Sequence, residues 1–248
     1  MATKLSVNVN KIATLRNARG GNVPDVLACV KHLEQCGAEG ITVHPRPDER
    51  HITQKDVYDI AKNISVEFNI EGYPDERYLM FIKDVCPAQA TLVPDPPHVI
   101  TSNAGWQVNA ENLILLEQVI HQIKKNSPDT RVSVFIYPED VSEKDLISLK
   151  NVGVDRIELY TGPYAEHYTD FDKRKHFLEI YFNTSEIAQK TGLGINAGHD
   201  LNLVNLPDFI KTIPFIQEVS IGQAFIADSL YYGFEETILR YKLALRPY

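Results

Sequence analysis

Two imidazoles and two guanidiniums fall within the run Thr42-Val43-His44-Pro45-Arg46-Pro47-Asp48-Glu49-Arg50-His51. The whole chain carries 25 Lys+Arg against 33 Asp+Glu, a net charge of −8. Against that background a local cationic cluster predicts an anionic ligand, although Asp48 and Glu49 could also neutralise it as a plain solvated loop. A second basic run, Arg16-Asn17-Ala18-Arg19-Gly20-Gly21, has the parts of a phosphate clamp. Its guanidiniums supply paired donors and its glycines let backbone N–H groups approach; a surface loop is the competing reading. Glu71 lies between Ile70 and Gly72, with Asn69 two residues earlier. A carboxylate delivered to an apolar strand end without a cation has a raised pKa and suits proton transfer. His199, in Asn196-Ala197-Gly198-His199-Asp200, and the pair Gly222-Gln223 complete the set.

Other chemistries fit less well. His44, His51, Glu71 and His199 could ligate Zn²⁺ or Fe²⁺ only by converging from separate segments, since no H-x-H or H-E-x-x-H spacing is present. No G-x-S-x-G elbow exists. Lys11 alone among the lysines falls near a strand end, so a carbonyl–amine condensation would have to join two substrates to each other rather than to the protein. His32, His121 and His176 fall in helical surface patterns, and His98 and His167 have no motif around them.

These groups need a frame, and the hydrophobic pattern supplies it. Short β-branched runs alternate with segments of helical period eight times, the pattern of parallel strands joined by helices. Strands are predicted at Leu5–Val9, Gly40–His44, Glu67–Glu71, Ala90–Val93, Arg131–Ile136, Arg156–Tyr160, Gly194–Asn196 and Val219–Gly222. The clearest helices are Asp25–Cys36, Pro74–Val85, Ala110–Lys124, Ser142–Asn151, Lys173–Lys190 and Phe234–Leu245. Gly37, Gly153 and Gly192 follow helix ends, where a left-handed residue stops the last turn. Eight units in 248 residues match a (β/α)8 TIM barrel, for which ~250 residues is typical. No linker interrupts it, so residues 1–248 read as a single domain.

Within the strands one parity is apolar and the other polar: Val7 and Val9 against Ser6, Asn8 and Asn10, or Phe68 and Ile70 against Asn69 and Glu71. An open parallel sheet buried on both faces would read as continuous Val, Ile and Leu. The polar parity therefore lines the barrel interior, with Glu158 on it. His44 and Glu71 stand at the C-terminal mouth, where barrel active sites are built, and the loops after strands seven and eight are the usual phosphate site. The segment from Thr91 to Trp106, with Pro94, Pro96, Pro97 and Gly105, reads as a lid. The acidic balance argues against a nucleic-acid partner. No apolar run reaches the ~20 residues of a membrane span, and the start, Met1 to Asn10, is too polar for a signal h-region. Cys29, Cys36 and Cys86 form no C-x-x-C pair, which fits a reducing, cytoplasmic setting.

Longer blocks carry a more specific signal. Asn8 through Gly20, Gly40 through His44 and on to His51-Ile52-Thr53, Asn69-Ile70-Glu71, Thr91-Leu92-Val93-Pro94 and Asn196-Ala197-Gly198-His199 closely resemble the pyridoxine 5′-phosphate synthase (PdxJ) family, from end to end. The resemblance implies a barrel with extra helices, assembled as a homo-octamer built from dimers, working in vitamin B6 synthesis without metal or organic cofactor. It implies two phosphorylated small-molecule substrates, 3-amino-2-oxopropyl phosphate and 1-deoxy-D-xylulose 5-phosphate, condensed into a pyridine ring by a transferase. By position, His44 and Glu71 are implied as proton acceptors and His199 as the donor. Asn8, Arg19, Asp200, Gly222 and Gln223 are implied to hold the aminoketone phosphate. Asn10, Lys11, Arg46, His51 and Thr101 are implied to hold the pentulose phosphate. Three positions depart from the commoner family residues: Asp-His for Asn10-Lys11, Gly for Asp200 and Gly-His for Gly222-Gln223. The alternatives are a non-catalytic barrel that binds a phosphorylated metabolite and another phosphosugar-processing barrel enzyme.

Overall fold

The alternating runs become eight short strands in the computed structural model, which describes residues 2–95 and 105–246. They are β1 Lys4–Asn8, β2 Gly40–Val43, β3 Glu67–Gly72, β4 Gln89–Leu92, β5 Arg131–Ile136, β6 Arg156–Tyr160, β7 Gly194–Gly198 and β8 Glu218–Ile221. Each pairs in parallel with the next, and β8 returns to β1 with Val219 opposite Leu5, which closes the barrel. Among the described residues ten α-helices surround or cap it: α1 Asn10–Asn17, α2 Val26–Gln35, α3 Gln54–Asn63, α4 Glu76–Val85, α5 Ala110–Asn126, α6 Glu143–Asn151, α7 Gly162–Glu166, α8 Phe171–Lys190, α9 Leu206–Thr212 and α10 Gln223–Ala244.

Local chemistry sets the helix ends. Asp25 caps α2 by accepting from the Ala28 N–H at 2.9 Å, and capping boxes start α3 (Thr53 with Asp56) and α6 (Ser142 with Asp145). Gly37, Gly153 and Gly192 have φ of +104°, +96° and +79°, the left-handed stops that turn α2, α6 and α8 into the next strand.

The two strand parities separate as their chemistry requires. Val7, Ile41, Ile70, Val134, Ile157 and Val219 are wholly buried between strands and helices. The polar parity fills the barrel with hydrogen bonds instead. Ser6 and Thr42 hydroxyls meet at 2.7 Å, Asn69 donates to Thr42 at 3.3 Å, and Thr91 donates to Asn69 at 3.0 Å. Deeper, Arg156 donates to Gln89 at 3.3 Å and to Asn196 at 3.1 Å, while Gln89 donates to Glu218 at 3.4 Å. Glu67 takes both Lys4 and Arg131. Barrel interiors are commonly packed with branched apolar residues; here mutual hydrogen bonding offsets the cost of burying polar groups.

Two expectations need correcting. The run from Arg16 to Gly21 is only partly a loop: Arg16 and Asn17 form the end of α1, with Arg16 buried, while residues 18–21 lie beyond the helix and Arg19 is exposed. The last helix starts at Gln223 rather than Phe234 and is interrupted only at Gly233 (φ +74°), where a left-handed residue breaks the helical ladder.

Candidate active site

The mouth is assembled from the ends of β1, β2 and β3. Asn8 closes β1 and its Oδ1 accepts the Asn10 N–H at 3.1 Å; the Asn10 side chain in turn accepts the His44 N–H at 2.9 Å. This ties the first turn of α1 to the residue just past β2. The His44 Nδ1 then lies 3.8 Å from Glu71 Oε2. Both side chains are largely buried. Burial, with the charges of Arg46 and Arg50, pushes the His44 imidazole well below its ordinary pKa. Burial and then the Glu218 charge push Glu71 up to about 8, against the pull of Arg46. A third carboxyl, Glu158 on β6, is raised well above its usual range by burial and by Glu71 and Glu218. Its Oε2 lies 3.5 Å from the Thr91 hydroxyl, and its Oε1 would come within 2.6 Å of a Cβ at position 198. Gly198 is what leaves that carboxyl its space.

The cationic loop after β2 forms one flank. The Arg46 guanidinium is buried and meets Asp95 at 3.2 Å. His51 accepts the Ile52 N–H on Nδ1 at 2.9 Å, which leaves the ring proton on Nε2. Burial, then Arg46 and Arg50, bring its pKa down to about 4, so at neutral pH it is an uncharged donor. Lys11 is exposed on the first turn of α1. Thr101 and most of the expected lid lie outside the described residues.

The ends of β7 and β8 form the other flank. His199 and Asp200 follow β7 with φ of +85° and +61°. The Tyr160 ring stands edge-on to the His199 imidazole, centroids 4.9 Å apart. Gly222 lies against Asn8, where a Cβ would come 3.2 Å from that of Asn8. Gln223 is the first residue of α10, so the helix opens at the mouth with N–H groups that no earlier turn satisfies. Arg19 is exposed just beyond α1.

All the strands run in one direction, so His44, Glu71 and His199 stand at the same C-terminal end, with Glu158 two residues inside it. Arg16 does not join them. Its guanidinium meets Asp56 at 2.5 and 2.8 Å and the His51 carbonyl at 3.1 Å. It is a buried structural ion pair, and the two-arginine clamp reduces to Arg19. Sequence reasoning also passed over Glu218, Tyr160 and Asp95. Glu218 sits one residue before the predicted β8, and the parity argument would have found it had that strand been started earlier. A groove of about 710 Å³ beside α1 and α3, lined among others by Asp25, Glu49, Asp56 and Asp59, holds none of the mouth residues. Among the described residues no three His, Cys, Asp or Glu side chains gather as a metal site.

Residues 5–247 match the family model described as pyridoxal phosphate biosynthesis protein PdxJ. Pyridoxine 5′-phosphate synthase from Porphyromonas gingivalis is 53% identical over 97% of this chain and 98% of its own length. The protein of that name from Bacteroides thetaiotaomicron is 49% identical over 98% of this chain and 100% of its own. Solved structures share the fold at low identity. A tryptophan synthase chain from M. tuberculosis has TM-score 0.66 at 8% identity, covering 100% of this chain and 94% of that one. 3-Hexulose-6-phosphate synthase from Salmonella typhimurium has TM-score 0.65 at 12%, covering 98% of each.

Proposed function

The chain belongs to the PdxJ family of pyridoxal phosphate biosynthesis proteins, and from that premise we propose how it acts as a pyridoxine 5′-phosphate synthase. It condenses 3-amino-2-oxopropyl phosphate with 1-deoxy-D-xylulose 5-phosphate, closes the pyridine ring of pyridoxine 5′-phosphate, and releases phosphate and water. The observation that carries the site assignment is the pair His44 and Glu71, 3.8 Å apart, at the same barrel end as His199. The reaction needs an amine freed of its proton to attack a ketone, several C–H protons removed, and oxygen leaving groups protonated. Uncharged His44 accepts a proton at neutral pH, Glu71 supplies a second acceptor once ionised, and His199 donates.

Two phosphates need two sites. Arg19, Asn8, the backbone N–H of Asp200 and the Gly222-Gln223 start of α10 take the aminoketone phosphate; a helix N-terminus with an arginine beside it is a ready anion site. Arg46, His51, Asn10, Lys11 and Thr101 take the pentulose phosphate. Arg46 then divides its donors between Asp95 and the ligand. The assembly is a homo-octamer built from dimers and works in the cytoplasm. Exposed Leu230, Tyr231 and Tyr232 on α10 support self-association, since clustered apolar surface of this kind marks an interface. Light scattering on the purified protein tests the octamer.

Incubating purified protein with both substrates, and following pyridoxine 5′-phosphate and free phosphate together, tests the activity. Equal appearance of both is the expected result. Binding of both substrates with no product would leave a phosphometabolite-binding barrel and overturn the proposal.

A further inference from the structure

Had β7 continued past Gly198, the side chains of His199 and Asp200 would point to opposite faces, yet the His199 Nδ1 lies 2.6 Å from the Asp200 Oδ2. The cause is the backbone. Both residues are left-handed, a conformation uncommon for non-glycine residues though more accessible to His and Asp than to most. The segment is pinned there from both sides. The Thr161 hydroxyl donates to the carbonyls of Gly198 and His199, and the Asn205 amide donates to the Asp200 carbonyl at 3.1 Å. The His199 ring also has a wall, the edge-on ring of Tyr160. Asp200 in turn is held below the usual carboxylate range, chiefly by its hydrogen bond with His199.

We propose that Asp200 is a positioning residue for His199, its carboxylate accepting the Nδ1–H so that Nε2 is the nitrogen that delivers the proton. The chemistry rests on the synthase reading; the geometry does not. A doubly protonated ring passes its Nε2 proton to a leaving oxygen as the carbon–oxygen bond breaks and its electron pair goes to that oxygen, while the pair of a neighbouring C–H bond, whose proton an acceptor at the mouth removes, forms the new double bond. The ring is left as the neutral Nδ1–H form, which is the form the Asp200 carboxylate holds. A proton from solvent then restores it. A carboxylate opposes a neighbouring phosphate, so the Asp200 side chain serves the imidazole while its backbone N–H remains for the ligand.

The test uses ¹⁵N-histidine-labelled full-length protein, wild type against Asp200→Gly. Glycine adopts the left-handed backbone without strain, and a thermal melt checks that the variant is folded. In wild type the neutral His199 ring carries its proton on Nδ1; in Asp200→Gly it moves to Nε2. The kcat falls roughly 10–100-fold, the usual loss when a group orienting a functional imidazole is removed, while KM for each substrate stays within about twofold. An unchanged tautomer overturns the proposal. So does a rise in KM for the aminoketone phosphate at constant kcat, which would make the side chain a substrate contact. If the tautomer differs between wild type and Asp200→Gly as expected but the wild-type protein forms no pyridoxine 5′-phosphate, the synthase reading falls and the Asp200–His199 coupling stands.

Discussion

His44 and Glu71 face each other at 3.8 Å, and at neutral pH they do so mostly as two uncharged groups. Burial drives the imidazole to lose its proton and the carboxyl to keep its own. An ion pair, the expected outcome for an exposed His–Glu contact, does not form. The pair holds one transferable proton and one vacant acceptor, an arrangement suited to successive proton transfers.

The first prediction follows from Glu71. With its pKa pushed up to about 8, its ionised fraction grows with pH, so kcat/KM rises between pH 7 and 9. Glu71→Gln cannot accept a proton, so the rise disappears and kcat drops by about 10²–10⁴-fold. Steady-state kinetics across that range check both. A Glu71→Gln enzyme with near-normal turnover would leave His44 as the sole acceptor.

The same residue sets a stability cost. A carboxyl whose folded pKa is raised binds more protons in the native state than in the unfolded one. Stability is thus unaffected below the ordinary value of 4.5, falls as pH rises toward about 8, and is lowest above it. The full cost is on the order of 5 kcal/mol. Glu71→Gln should raise Tm at pH 9 and change it little at pH 4; equal shifts at both would contradict this titration.

Arg16 and Arg19 should part company under substitution. Arg16→Ala strands a buried Asp56 carboxylate and costs about 3–5 kcal/mol in a urea melt. Arg19→Ala leaves the melt unchanged and weakens 3-amino-2-oxopropyl phosphate more than 1-deoxy-D-xylulose 5-phosphate. Calorimetric titration with each substrate reads the difference, and equal loss for both would move Arg19 out of the aminoketone site.

Gly198→Ala places a methyl 2.6 Å from Glu158 Oε1. Overpacking of this kind costs about 1–3 kcal/mol, and because the displaced group is the Glu158 carboxyl on which the Glu71 charge acts, kcat falls as well. Thermal melts and turnover measured on the same preparation check this.

Much of this was legible from residue order alone, because strand parity is a strictly local signal. Ser6, Thr42, Asn69 and Glu158 announce an interior position by alternating with Val, Ile and Leu, and Gly37, Gly153 and Gly192 announce helix stops by position. What stayed hidden depends on partners far along the chain. Nothing near Arg16 reveals that Asp56, forty residues on, will take its charge. Helix α1 escaped notice because it starts two residues past a strand and shows only a weak apolar face. The Arg46–Asp95 pair joins the segments after β2 and β4, strands separated by β3, and only the tertiary pairing of these strands brings the two side chains together.

The hydrogen-bonded interior also acts as a register gauge. Sliding any strand by one residue would swap its parities, moving Thr42 or Glu158 out against the helices and Ile41 or Ile157 in among amides and carboxyls. Each strand would then lose its hydrogen-bond partners and its apolar burial in one step. An all-apolar interior would tolerate such a slip far more readily, since hydrophobic side chains of similar size can replace one another. Alignment of His44, Glu71 and His199 at the rim is therefore enforced from below, by residues that need never meet a substrate.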